Sequence, residues 1–189
     1  LAGRFPTEAL DDFTSSYHHR FDLFSPSCPF MQSADLPLQP EGSNTKPVAY
    51  LAMEQPAGTA HTHYRHGADS DYAICPACAA AGLCTLPAFA TSGGAGIKPS
   101  INGVPPYYLL PSGPDLFHSL LDSLILPAFQ PPTARGVADL PWWRREPVVQ
   151  RSAEVFEVGY LASLTFPARR VRLHPQLATG HCSRCGEQT

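Results

Sequence analysis

Two cysteine pairs, Cys75-Pro76-Ala77-Cys78 and Cys182-Ser183-Arg184-Cys185, carry the clearest chemistry in this chain. Together they supply four thiolates, the full ligand set of a closed tetrahedral zinc site. With sulfur at every position none is left for water or substrate, so such a zinc staples distant segments and activates nothing. Gly186, directly after the second pair, suits a zinc knuckle, whose tight turn aims backbone N–H groups at the sulfurs and needs a residue tolerant of left-handed φ. The six cysteines could instead form three disulfides, but such scaffolds are typically small and secreted and lack two clean CxxC pairs, which favours metal. Cys28 and Cys84 stand outside the pairs. Cys28 is expected as a small core residue, and Cys84 should point inward from the helix that follows Cys78.

Two further stretches could bind ligands. His61, His63 and His66 lie within a few residues, and the first two would share a strand face, so the three could hold a metal in a metal-dependent hydrolase. No carboxylate follows at a spacing that completes a site of the usual kind, and a polar loop that touches nucleic acid through Tyr64 stacking and Arg65 is as economical. The run Ser92 to Gly103 is glycine-rich. Gly94, Ala95 and Gly96 allow close backbone approach to a ligand, and Lys98 offers a phosphate donor. It is no dinucleotide or Walker loop, because Pro99, Pro105 and Pro106 forbid the helix those motifs require; the plain alternative is a turn between packed segments. No GxSxG, HExxH or paired-carboxylate motif occurs, so an enzyme's signature is lacking.

Short elements must position these groups. Leu10, Phe13, Tyr17 and Phe21 recur at helical spacing over Thr7 to Phe21 and predict one buried helix face. Phe21 to Gln32, dense in aromatics and prolines, reads as an extended and largely buried connection. Val48 to Met53, between Pro47 and Pro56, suits a strand. Cys75 opens an apolar helix over Ala79 to Leu86, with Pro76 acceptable in its first turn. Asp115 caps a helix with Leu116, Leu120, Leu121 and Leu124 on one face, stopped by Pro127. Val155 to Phe166 fits helix or strand, and Arg169 to Leu173 alternates like a strand. Trp142-Trp143-Arg144-Arg145 sets two indoles beside two guanidiniums, either a partner surface or a half-buried tryptophan pair with solvated arginines. The fold class expected is α+β: an irregular, loop-rich mixed domain with short helices and strands, stapled by a four-cysteine zinc site.

At 189 residues the chain suits one domain with a true core, 1–189, or a piece of something larger. The start at Leu1 without an initiator methionine and the end just past a knuckle favour the piece. Twenty-one prolines, about twice the usual ~5%, keep regular elements short. A net charge of −3 argues against a freestanding nucleic-acid binder, though not against one inside an assembly. No apolar run approaches the ~18 residues of a membrane span, and the first twenty residues are no signal peptide, so a cytoplasmic location is expected.

The ordered landmarks resemble the CasA family, the large subunits of the type I-E CRISPR surveillance complex Cascade. Phe21-Asp22-Leu23-Phe24 leading to Pro29-Phe30-Met31-Gln32 resembles the family's PF-Q segment, Cys75 to Cys78 its first cysteine pair, Ser92 to Ser100 its glycine loop and Gly180 to Gly186 its second pair. The resemblance implies a non-enzymatic subunit that recognises the protospacer-adjacent motif of double-stranded target DNA. It further implies contact with the 5′ end of the guide RNA, partnership with the other Cascade subunits, and recruitment of a helicase-nuclease effector for antiviral defence. On this view Gly94, Ala95, Gly96 and Lys98 face DNA, Tyr64 and Arg65 face RNA, and the chain is part of the N-terminal domain of a longer subunit whose C-terminal helical bundle has no counterpart here. Ala95 stands where the family's run has its middle glycine, and Asn102 where an arginine is common, so the motif read does not transfer directly.

Overall fold

The computed structural model describes residues 4–38, 45–52, 72–89, 108–133, 138–145, 159–167, 169–177 and 179–188. Backbone contacts divide the chain into two compact units, each assembled from separated stretches.

The first unit comprises Leu1–Asp22, Pro105–Glu146 and Gln150–Phe166. Helix α1 (Thr7–Tyr17) starts after Pro6 and tightens into a 3₁₀ turn, His18–Phe21. Its aromatic stripe packs as expected: Phe13 meets Tyr17 at 5.3 Å, Phe21 at 5.8 Å and Trp143 edge-on at 5.5 Å between centroids. The face is not buried, however. No residue of α1 is buried, and Leu10 and Phe21 are exposed, because the rings cover one another more than they enter a core. Helix α3 (Leu116–Asp122) is capped by Asp115, whose side chain accepts from the His118 N–H at 2.9 Å. Its leucines are also largely outside, with Leu116 at 74% exposure. Helix α4 (Tyr160–Leu164) takes the middle of the described part of the ambiguous 155–166 stretch, and is capped from a distance by Asp139, which accepts from the N–H groups of Leu161 and Ala162. Trp142, Tyr160 and Ala162 form the buried centre; the Tyr160 hydroxyl accepts from the Ile125 N–H at 3.0 Å, and the Thr165 hydroxyl from the Trp142 N–H at 2.7 Å.

The second unit comprises Leu23–Val104, Pro147–Val149 and Pro167–Thr189. Helix α2 (Pro76–Phe89) runs longer than the Ala79 to Leu86 expected and carries Pro87 in its last turn. Val48–Leu51 is a 3₁₀ turn rather than a strand: Pro47 leads into it, Ala49 and Leu51 are buried, and Gly82 of α2 lies so near that an added Cβ would sit 2.8 Å from the Leu51 carbonyl oxygen. Residues 23–36 are turn-rich rather than extended, with Leu23, Pro29, Met31 and Gln32 buried but Phe24 exposed. Gln32 uses both ends of its amide, donating to the Leu23 carbonyl at 2.7 Å and accepting from the Leu173 N–H at 2.7 Å. The Ser33 N–H donates to Val171 O at 2.9 Å, and Asp35 pairs with Arg170. Arg169 to Leu173 is therefore held without a ladder partner and is not a strand. Among the described residues the β structure is a single bridge, His181 to Gln188, so the mixed α+β expectation gives way to short helices joined by irregular segments.

Candidate metal centre

Helix α2 begins with Cys75 in the capping position, its carbonyl accepting from the Ala79 N–H at 3.0 Å, so that Cys75 and Cys78 flank the first turn. The second pair lies on a turn closed by the Gly186 N–H donating to Cys182 O at 2.9 Å and the Cys182 N–H donating to Glu187 O at 2.7 Å. Gly186 holds φ +79°, the left-handed conformation the knuckle requires. Two reciprocal bonds join the halves: Ser183 N–H to Ala73 O at 2.7 Å, and Ala73 N–H to the Ser183 hydroxyl at 3.2 Å. Arg184 adds a donor to Cys78 O at 3.4 Å.

The result brings all four sulfurs within 4.8 Å of one another although the pairs lie 107 positions apart. A metal at 2.3 Å from four tetrahedral thiolates places them about 3.8 Å apart. Cys75 and Cys185 stand at 3.8 Å, whereas a disulfide would need about 2.05 Å, and all six cysteines are free. N–H groups also reach the sulfurs, Cys75 N–H to Cys182 at 3.3 Å and Cys78 N–H to Cys75 at 3.4 Å. Burial opposes ionisation of Cys182, yet donors from Cys185, Cys75 and Arg184 outweigh it and hold this thiol down to about 6. Burial and the neighbouring cysteines push Cys78 up to about 12. The Cys182 thiolate thus forms readily, whereas Cys78 and Cys185 resist until a cation shares their charge. The four residues fit a closed metal site and could hold a metal ion.

Cys28 is half-buried and outside the quartet. Cys84 is exposed, which corrects the inward orientation expected of it; α2 is apolar on every side, and the buried face is the one with Ala79, Gly82 and Leu83. His61, His63, His66, Tyr64 and Arg65 lie outside the described residues, as do Gly94, Ala95, Gly96 and Lys98. Sequence reasoning passed over Gln32 as a structural node. A lone glutamine among apolar residues and prolines was the available signal, since a buried amide needs partners for both its ends. No described helix is long and apolar enough to cross a membrane.

Separated segments are thus gathered onto four sulfurs that could together fill every position of a tetrahedral metal site. The family model for CRISPR-associated protein Cse1 matches residues 1–186, and the chain belongs to that family. It is 31% identical over 182 residues to the CRISPR-associated protein CasA/Cse1 of Thermus thermophilus, a match that covers 90% of this chain and 34% of that protein. The solved structure of Thermus thermophilus CasA (Cse1) agrees with a TM-score of 0.59 at 28% identity, over 90% of this chain and 35% of that one. The chain thus spans about a third of the length of the relative it matches.

Proposed function

We propose that this chain is the zinc-stapled part of the N-terminal domain of a Cascade large subunit, a cytoplasmic and non-catalytic protein of antiviral defence that recognises the protospacer-adjacent motif in double-stranded target DNA. The observation that carries the reading is the family match over residues 1–186 joined to a four-sulfur cluster that closes in space. In this reading the metal is zinc, because four thiolates and no oxygen ligand suit a borderline-soft ion of tetrahedral habit. Its work is to fix α2 and the segment after it, and with them the start of the glycine run. Gly94, Ala95 and Gly96 then lie against the minor groove, where side chains obstruct approach, and Lys98 holds a phosphate. Tyr64 and Arg65 contact the 5′ end region of the guide RNA. The other Cascade subunits and the helicase-nuclease are the protein partners. Leu109 at 95%, Leu110 at 85% and Phe129 at 76% exposure support a chain that works inside an assembly, since monomers rarely leave such residues uncovered in number.

The test is made in the assembled complex. Ala95→Asp should weaken binding to motif-bearing duplex while sparing binding to single-stranded target complementary to the guide. Equal loss on both substrates, or loss on neither, refutes the assignment.

A further inference from the structure

The Trp142-Trp143-Arg144-Arg145 stretch is absorbed by neither the metal centre nor the glycine run. In the first unit it forms a 3₁₀ turn, Trp142–Arg144, that faces the end of α1 across an open cleft of roughly 490 Å³. Tyr17, His19, Arg20, Trp143, Arg144 and Arg145 line that cleft. Three guanidiniums therefore converge on one opening in a chain whose net charge is −3.

Among the described residues their hydrogen-bond and stacking partners are neutral. Arg20 lies 5.2 Å above the Trp142 ring and donates to the carbonyls of Trp142 and Arg145, so it braces the turn. Arg144 donates through Nε to the Tyr17 hydroxyl at 2.9 Å and stacks over that ring, which leaves its terminal nitrogens unused on an exposed residue. Arg145 stacks over Phe166 at 5.8 Å, while its Nε and one terminal nitrogen are buried without an acceptor among the described residues. Burial pushes its pKa down, and Asp139, the carboxylate whose charge it feels, has both oxygens engaged by the N–H groups that cap α4. Among the described residues no carboxylate forms an ion pair with any of the three arginines. Guanidiniums fixed by rings and carbonyls, and without an ion-pair partner among the described residues, are an arrangement for an anion supplied from outside. A phosphodiester fits better than a carboxylate side chain: its oxygens satisfy several guanidiniums at once, and the next phosphate along a strand serves the neighbouring arginine.

We infer that this cleft binds the phosphodiester backbone of a nucleic acid, with Arg144 and Arg145 as the phosphate contacts and Arg20 as the brace that orients them. The inference is independent of the role proposed for Gly94 to Lys98, because it concerns other residues in the other unit and needs no motif. It is tested with the purified protein as its gene encodes it, by fluorescence anisotropy of a labelled oligodeoxythymidine strand that carries no motif. Arg144→Gln, on an exposed residue, should leave the melting temperature unchanged, weaken binding about five-fold at low salt and lower the log–log salt slope by about 0.7. Adding Arg145→Gln should deepen both effects, and Arg144→Lys should restore most of the salt slope. Unaltered binding by Arg144→Gln, or no binding by the parent protein, overturns the inference. Polyglutamate that competes as well as the oligonucleotide at equal charge would make the cleft an acidic-peptide surface instead. Inorganic phosphate that displaces the strand at equal phosphate concentration would reduce it to a simple anion site, and either result overturns the assignment to nucleic acid.

Discussion

Replacing Cys182 by serine tests the staple most directly. Cys182 is 2% exposed, and its sulfur meets the N–H of a residue 107 positions away, so a metal held by the quartet would close a loop of that length. Chain-entropy arguments value closure of a loop of roughly 100 residues at about 4.7 kcal/mol of unfolded-state restriction. Domains of this size are stable by about 5–15 kcal/mol, so loss of the link removes a third or more of what holds the second unit. Serine is a poor soft ligand and leaves three sulfurs, which are insufficient for a closed site. Metal content by plasma mass spectrometry should fall from one ion per chain to near none in Cys182→Ser, with a matching drop in the urea midpoint. Cys84→Ser is the control, because Cys84 is exposed and outside the quartet, and it should change neither reading. Chelator added to the parent protein should reproduce the lowered midpoint. Full metal retention in Cys182→Ser, equal metal loss in both variants, or a chelated protein as stable as the loaded one would each refute the reasoning.

Gln32→Leu should cost about 2–6 kcal/mol in urea unfolding, because it orphans the buried Leu23 carbonyl and the half-buried Leu173 N–H at about 1–3 kcal/mol each; a change below about 0.5 kcal/mol would show that the amide bridge is dispensable. Gly82→Ala should destabilise by roughly 1–2 kcal/mol despite the ~1 kcal/mol better helix propensity of alanine, since its Cβ would press on the Leu51 backbone, and a net gain would mean that α2 and Val48–Leu51 are not tightly packed. Asp115→Ala should reduce helix content measured by circular dichroism, while Asp115→Asn, an equally good cap, should not. The Asp115 carboxyl is held below its usual range, first by the His118 N–H and then by the His118 ring, so its support for α3 is present above the ordinary carboxylate pKa of about 3.9 and is lost as pH falls through the depressed value. Loss of that support on raising pH from 5 to 8 would contradict the assignment.

What could be read in advance followed the range over which each feature is determined. Helix starts are local, so Pro76 in a first turn and Asp115 as a cap were legible from neighbouring residues alone. The cysteine quartet was legible for a chemical reason: a closed site needs four thiolates, and two CxxC pairs supply that number whatever lies between them. Strands are different, since alternation describes a surface but a strand needs a neighbour to bond. Arg169 to Leu173 alternates, yet its bonds go to Ser33 and to a glutamine side chain 141 positions away, a partner that no window along the chain contains. Helix α2 fails in the opposite way: it is apolar all round, so its sequence carries no phase, and only packing against Leu51 decides that Leu83 faces inward and Cys84 outward. The leucines of α3 show that an apolar face specifies the need for a cover without specifying which segment supplies it. The sulfurs make the same distinction at atomic scale. Spacing names four equivalent ligands, but the lowered pKa of Cys182 comes from N–H groups aimed at it from both halves of the site, and that arrangement exists only once the two pairs have met.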